Sequence, residues 1–292
     1  MKITQGTYTA LVTPFLEPEG DIDFRALENL VNIQIENRIG LVILGTTAET
    51  PTLNEKEKKE IITLSIKQAK DQVPIIIGTG TPSTKSTIEE TKKAENSGAD
   101  GALIVTPYYN KPTQKGIIKH FEATHNNTNI PIIVYNIAGR TGVNIETETL
   151  KEISKLERII GVKEASGNIN QMMEVRNNLP KDFLIFSGDD LLTYPMMTSG
   201  ANGVISVMSN LYPKKIKEMV NYLIEKEDDF AKTIHYQLLP ITKSIFSETN
   251  PIGIKYALFL KGLINETYRL PLCEMSEENK LKIKMEMKKW KD

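Results

Sequence analysis

The chain has 292 residues, 40% of them hydrophobic and 25% charged, enough to bury a full core as one large domain or two small ones. Its 36 basic and 37 acidic side chains leave a net charge of -1, which lacks the electrostatic footprint of a protein that binds nucleic acid or an anionic membrane. A single cysteine, Cys273, excludes disulfides within the chain and thiolate metal sites; with no apolar signal region and no apolar run near the ~20 residues of a membrane span, a soluble cytoplasmic protein is expected.

Short, nearly continuous apolar runs recur along the chain. They are "TYTALVTPF" from Thr7, "GLVILG" from Gly40, "VPIIIGTG" from Val73 and "GALIVTP" from Gly101, then "IPIIVYN" from Ile130, "IIGVKEA" from Ile159, "FLIFSGD" from Phe183 and "GVISV" from Gly203. Such runs fit parallel strands covered on both faces. Helical patterns separate them, as in "NEKEKKEIITLSIKQAK" and "STKSTIEETKKAENSG", the latter ending on Gly98 as a C-cap. Eight strand–helix units predict a (β/α)8 TIM barrel. A doubly wound sheet fits less well, because no glycine-rich dinucleotide turn follows the first strand and no GxxxxGK[ST] occurs. Beyond Met208 the pattern is helical: "PKKIKEMVNYLIEKE", then Asp228 to Glu248, a short helix near Pro251, and the tail "KLKIKMEMKKW". The expected organisation is an α/β barrel over 1–225 and a C-terminal helical extension over 226–292.

Barrel chemistry gathers at the carboxyl ends of the strands. The second strand ends in Gly45-Thr46-Thr47, the fourth in Thr106-Pro107-Tyr108-Tyr109, and the fifth in Tyr135-Asn136, with Arg140 four residues on. The sixth ends in Lys163-Glu164 and the seventh in Ser187-Gly188-Asp189-Asp190. Lys163 is out of place in so apolar a strand. Alternation puts Ile159, Gly161 and Lys163 on one face and Ile160 and Val162 on the other. With the first set inward, Gly161 should leave open space beneath the amine. An apolar mouth disfavours an ammonium ion, and a desolvated amine is the usual nucleophile for a Schiff base with a carbonyl substrate. The plain alternative is a solvated strand end. Tyrosines and a threonine pair at neighbouring strand ends favour chemistry, since they supply a proton relay. Tyr135 read alone is a core aromatic, and Thr46-Thr47 read alone is an N-cap for the next helix.

Other chemistries fit less well. Asp189-Asp190 would need carboxylates from the third to fifth strands to complete a metal site, and reads more simply as a helix N-cap and first turn. His120 and His125 are five apart on one helix, which is not the HExxH zinc spacing, and no GxSxG elbow occurs. "SGANG", near the eighth strand, could cradle a phosphate and keeps a phospho-sugar aldolase open.

Six motifs, "GTTAE", "VTPYYNKP", "YNIAGRTG", "GVKEASG", "SGDD" and "GVISV", stand in the order and at the spacing of dihydrodipicolinate synthases. Over essentially its whole length the chain resembles this family, part of the pyruvate-dependent class I aldolase superfamily. The resemblance implies condensation of pyruvate with L-aspartate 4-semialdehyde to 4-hydroxy-tetrahydrodipicolinate, in lysine and diaminopimelate biosynthesis. It implies Lys163 as the Schiff-base residue, Tyr135 as proton donor and acceptor, and Thr47 and Tyr109 as the rest of the relay. Tyr109 would reach into a neighbouring subunit's site, in a homotetramer built as a dimer of dimers. Backbone groups of Thr46, Thr47 and Ile205 would hold pyruvate, with Gly188 beside that pocket, and Arg140 would grip the semialdehyde carboxylate. No metal or organic cofactor is implied. Two positions depart from the family pattern, Ala48 in "GTTAE" and Ala138 in "YNIAGRTG", both in loops that shape the mouth.

Arg140 separates this reading from N-acetylneuraminate lyases and 2-keto-3-deoxy sugar-acid aldolases, because a guanidinium matches a small carboxylate through paired hydrogen bonds. Its plain alternative is a loop arginine paired with Glu146 or Glu148. A catalytically inactive regulatory scaffold is the non-enzymatic alternative, opposed by the joint presence of Lys163, Tyr135, Thr47 and Tyr109. Relatives inhibited by L-lysine bind it at a dimer interface. Here the corresponding positions hold Glu55, Lys58, Pro82 and Ser86 beside Tyr108, which predicts weak inhibition or none.

Overall fold

In the computed structural model, which describes residues 1–17 and 20–289, eight parallel strands close into a barrel in sequence order. They are β1 (Gly6–Ala10), β2 (Gly40–Ile43), β3 (Ile75–Gly78), β4 (Gly101–Val105), β5 (Ile132–Asn136), β6 (Ile159–Glu164), β7 (Leu184–Ser187) and β8 (Gly203–Ser206). The main helices between them are α1 (Phe24–Glu36), α2 (Glu55–Ala69), α3 (Thr84–Ser97) and α4 (Gln114–Asn127), with a single turn α5 (Ala138–Thr141). They continue as α6 (Thr147–Ile153), α7 (Ile169–Asn178), α8 (Thr193–Thr198) and α9 (Pro213–Ile224). A helical extension follows as α10 (Asp228–Ile245), α11 (Ile252–Leu260) and α12 (Glu277–Lys288). The expected tail helix is α12; Trp290 lies outside the described residues. No described helix is long and apolar enough to cross a membrane.

The apolar runs are continuous because each strand feeds two cores. Ile76, Leu103, Ile133, Tyr135, Phe186 and Ile205 fill the barrel interior. Their neighbours Ile75, Ile77, Ala102, Ile104, Ile132, Val134 and Ile185 pack outward with the helices. The helices start where polar side chains cap free backbone N–H groups: Asp23 caps α1, Ser83 caps α3, Thr113 caps α4, and Asn54 forms a reciprocal capping box with Glu57 on α2. Gly98 closes α3 in the left-handed conformation at φ 88°, as its sequence position predicts.

Strict alternation fails in β6. Its pairing with β5 runs Ile132 to Ile159 and then Ile133 to Gly161, so Ile160 is an extra residue in a bulge. Ile159 therefore packs in the outer core and Ile160 against the inner one, the reverse of the simple period-two expectation. Beyond the bulge the alternation resumes, with Val162 outside and Lys163 beside Tyr135 and Phe186. "SGANG" enters β8 from its amino end, where Asn202 Oδ1 accepts from the Ile185 amide at 2.9 Å. A loop that precedes a barrel strand lies on the face opposite the strand carboxyl ends. The phosphate-cradle reading is thereby withdrawn.

Candidate active site

The carboxyl rim holds a cavity of about 300 Å³, lined among others by Thr46, Lys58, Tyr108, Tyr135, Ile137 and Arg140. Lys163 enters the rim from β6. It is 6% exposed, and its Nζ lies 4.3 Å from the centroid of the Tyr135 ring. Tyr135 is 5% exposed and stands opposite Lys163 in the β5–β6 register. The solvated-strand-end reading is therefore wrong: the amine is buried against an aromatic face.

Gly161 does not supply the space for this lysine. A Cβ there would meet the Leu184 carbonyl oxygen at 2.4 Å, so this glycine permits close approach of β7 and leaves no void. The room comes from Gly188, one residue past β7. A Cβ at Gly188 would lie 3.0 Å from both Cγ and Cε of Lys163 and 2.7 Å from Cβ of Ala165. Gly188 thus shapes the channel in which the lysine side chain runs.

The charges around Lys163 face elsewhere. Glu164 is buried on the opposite side of the strand, accepting from Asn136 Nδ2 at 3.0 Å and from the Ser166 amide at 2.7 Å; burial raises its pKa. Asp190 is buried too, and accepts from Ser206 Oγ at 2.5 Å and from the Val207 amide at 2.8 Å. Burial pushes its pKa up to about 6. Asp190 is not a residue of a first helical turn, as its sequence context suggests: α8 starts at Thr193, and Asp190 pins the turn after β8 instead. Among the described residues no carboxylate pairs with Lys163, and no group of three or more His, Cys, Asp or Glu side chains has metal-site geometry.

Thr46 and Thr47 form a 3-10 turn (Thr46–Ala48) after β2, and the next helix is capped by Asn54, which removes the N-cap reading of the threonines. Thr47 is 3% exposed, and its Oγ1 accepts from Asn250 Nδ2 at 2.9 Å. Ile205 is buried in the inner core of β8. Arg140 does not pair with Glu146 or Glu148; its guanidinium donates to Thr249 Oγ1 at 3.3 Å and to the Asn250 carbonyl at 3.0 Å. Tyr109 stands apart from the others: it is 92% exposed, with a left-handed backbone at φ 69°. Within one chain the fold gathers Lys163, Tyr135, Thr46, Thr47, Gly188, Ile205 and Arg140 at one rim and leaves Tyr109 projecting from it.

The sequence reading missed the support that the extension gives this rim. Lys255 on α11 and Glu49, two residues after Thr47, form an ion pair at 2.5 Å with both side chains fully buried. The Lys255 amine also lies 4.2 Å from the Phe15 ring centroid. Arg269 donates to the Glu49 carboxylate through its backbone amide and to Glu57 through its guanidinium. The signal was present in "PIGIKYALFL", a lysine alone in an apolar helix, the same anomaly that singles out Lys163. Burial lowers the Lys255 pKa, against the pull of Glu49. One buried lysine is matched by a carboxylate; the other is kept free of one.

The profile of the Dihydrodipicolinate synthetase family matches residues 3–290. The 4-hydroxy-tetrahydrodipicolinate synthase of Protochlamydia amoebophila is 50% identical over 284 residues, spanning 96% of this chain and 94% of that protein. The enzyme of that name from a Hydrogenobaculum species is 44% identical over 287 residues, 98% of each chain. Among solved structures, dihydrodipicolinate synthase from Aquifex aeolicus superposes with a TM-score of 0.95 at 42% identity, covering 98% of this chain and 97% of that one. An unpaired buried amine at the carboxyl rim of a closed (β/α)8 barrel and a family match spanning nearly every residue lead to one conclusion: this chain belongs to the dihydrodipicolinate synthetase family.

Proposed function

We propose that the chain is a lyase that condenses pyruvate with L-aspartate 4-semialdehyde to 4-hydroxy-tetrahydrodipicolinate, with Lys163 as the covalent centre. The observation that carries this reading is the buried Lys163 amine against Tyr135 with no carboxylate to hold it as an ion pair. A neutral Nζ adds to the ketone carbon of pyruvate, and loss of water leaves an imine. Loss of a methyl proton from that imine gives the enamine, whose carbon attacks the aldehyde. The semialdehyde's own amino group then adds to the imine carbon, closes the ring and releases Lys163. Each step moves a proton, and Tyr135, Thr47 and Tyr109 are the hydroxyls assigned to carry them. Thr46, Thr47 and Ile205 hold pyruvate through backbone groups beside Gly188, and Arg140 takes the semialdehyde carboxylate. The reaction draws on the protein's own amine and no organic cofactor. Of the extension expected over 226–292, the described part buttresses the rim through Thr249, Asn250, Lys255 and Arg269, and the enzyme works in the cytoplasm.

Arg140 supports the semialdehyde over polyhydroxylated aldehydes. Arg140→Ala is expected to leave pyruvate capture intact and to lower kcat/KM for the semialdehyde by about 2–4 kcal/mol of transition-state binding, roughly 30- to 1,000-fold. Steady-state kinetics with both substrates check this. Normal turnover of the semialdehyde by the variant, or a wild-type preference for N-acetylneuraminate, would contradict the assignment.

The exposure of Tyr109 supports a site shared between subunits of a homotetramer. Mixing Tyr109→Phe subunits with Lys163→Ala subunits should restore part of the activity by pairing intact halves. No recovery after verified subunit exchange would remove the shared site.

Inhibition by L-lysine is expected to be weak. Glu55, the one acid suited to the ligand's ammonium group, already pairs with Lys58 at 3.0 Å and Lys93 at 2.6 Å. Lys58 lines the rim cavity with Tyr108 and adds a like charge there. Activity across a lysine titration decides the point; half-inhibition at sub-millimolar lysine would overturn it.

A further inference from the structure

Asn136, the last residue of β5, closes the loop that carries Arg140. Its Oδ1 accepts from the Ile145 amide at 3.1 Å, and its Nδ2 donates to Asn144 Oδ1 at 2.8 Å and to Glu164 Oε2 at 3.0 Å. Residues 137–144, which include α5 and Arg140, are thereby tied at their far end to the strand from which they start. The tie continues outward: Asn144 Nδ2 donates to Gln171 Oε1 at 2.7 Å, and Gln171 Nε2 donates to the Ile145 carbonyl at 2.9 Å. Gln114 of α4 holds the same end by donating to the Asn144 carbonyl at 2.9 Å.

The amide orientations are fixed by groups that cannot exchange roles. The Ile145 N–H only donates, the Ile145 carbonyl only accepts, and an ionised Glu164 only accepts. A reversed Asn136 would set its NH2 against the Ile145 N–H and its oxygen against the Glu164 carboxylate. Asn136 is 1% exposed and Glu164 3%, so bulk water does not replace a lost partner. Glu164 uses both oxygens as acceptors, Oε2 from Asn136 and Oε1 from the Ser166 amide at 2.7 Å. It directly follows Lys163 on β6, so the chain of bonds joins the Arg140 loop to the strand that carries the amine.

We propose that Glu164 and Asn136 are positioning residues for the second substrate: the carboxylate holds the Asn136 amide in the orientation that closes the Arg140 loop, and so sets where the guanidinium stands relative to Lys163. The proposal rests on the reading of Arg140 as the residue that takes the semialdehyde carboxylate. Both residues act through Arg140 and are assigned no proton transfer. Glu164→Gln keeps the shape but offers one acceptor oxygen to two donors that reach different oxygens. The new NH2 then faces either the Ser166 amide or the Asn136 amide, and the loop end is loosened.

The test is a double-variant cycle of Glu164→Gln and Arg140→Ala. It measures kcat/KM for the semialdehyde, the rate of pyruvate trapping by borohydride, and melting temperature. Glu164→Gln is expected to lower kcat/KM for the semialdehyde by about 30-fold alone and by less than about threefold in the Arg140→Ala background, with pyruvate trapping within about threefold of wild type. A general loss of packing would weaken both backgrounds alike, and a role through Lys163 would slow pyruvate trapping. Either result overturns the proposal, as does an unchanged kcat/KM. Should Glu164→Gln not fold, Asn144→Ala cuts the same chain one amide further on and is judged by the same outcomes. Arg140→Ala that turns over the semialdehyde normally overturns the Arg140 assignment and this proposal with it. An impaired Arg140→Ala beside an unaffected Glu164→Gln overturns the proposal only.

Discussion

Lys163→Ala is expected to lower turnover by about 10⁴-fold or more while leaving the fold intact. In the proposed mechanism the amine is the one atom that binds pyruvate covalently, so no neighbouring hydroxyl replaces it. Stability should change little. The side chain runs in a channel opened by Gly188, and its buried amine makes no ion pair among the described residues. Truncation removes a buried amine and a methylene stem together, so the cavity it creates is offset by the lost desolvation cost. Steady-state kinetics and chemical denaturation check both halves. A variant retaining more than about 1% of wild-type turnover would show that the reaction does not need this amine.

Lys255→Met is expected to destabilise the protein by about 3–5 kcal/mol, because it strands the Glu49 carboxylate in a fully buried position. Among the described residues Glu49 then retains only the Arg269 backbone amide at 3.3 Å, and that single bond does not replace an ion pair. The double variant Lys255→Met with Glu49→Gln should regain much of the loss, since it removes both charges together. The effect should also reach the rim, because Glu49 directly follows the turn that carries Thr47. Denaturation midpoints of the single and double variants measure the stability change. A loss below about 1 kcal/mol in the single variant would mean that the pair is solvated in solution.

The barrel was legible because parallel strands buried on both faces leave a nearly unbroken apolar signature, and eight such runs admit few other arrangements. Ile75-Ile76-Ile77 is an example: all three are apolar because the outer two face helices and the middle one faces the barrel axis. Lys163 was legible for the converse reason, as a charge where the strand demands none. What escaped sequence reasoning depends on the third dimension. The bulge at Ile160 inverts the facing of Ile159, and no residue in "IIGV" announces it. The space for the lysine comes from Gly188, 25 residues away just past the end of the next strand, and not from Gly161 on its own strand. Arg140 finds its partners at Thr249 and Asn250 and not at the nearby Glu146, since the extension folds back over the rim. Asp190 reads locally as the start of a helix, yet it bonds across to the turn after β8.

The most direct measurement of the central claim is incubation with pyruvate and borohydride, followed by peptide mass mapping. A reduced imine should add a pyruvate-derived group to one peptide, at Lys163, in step with loss of activity. Lys255 should remain unmodified although it is also a buried lysine, because it is tied to Glu49 and lies against the Phe15 and Tyr268 rings. Modification at another lysine, or none at all while the enzyme turns over, would contradict Schiff-base catalysis by Lys163.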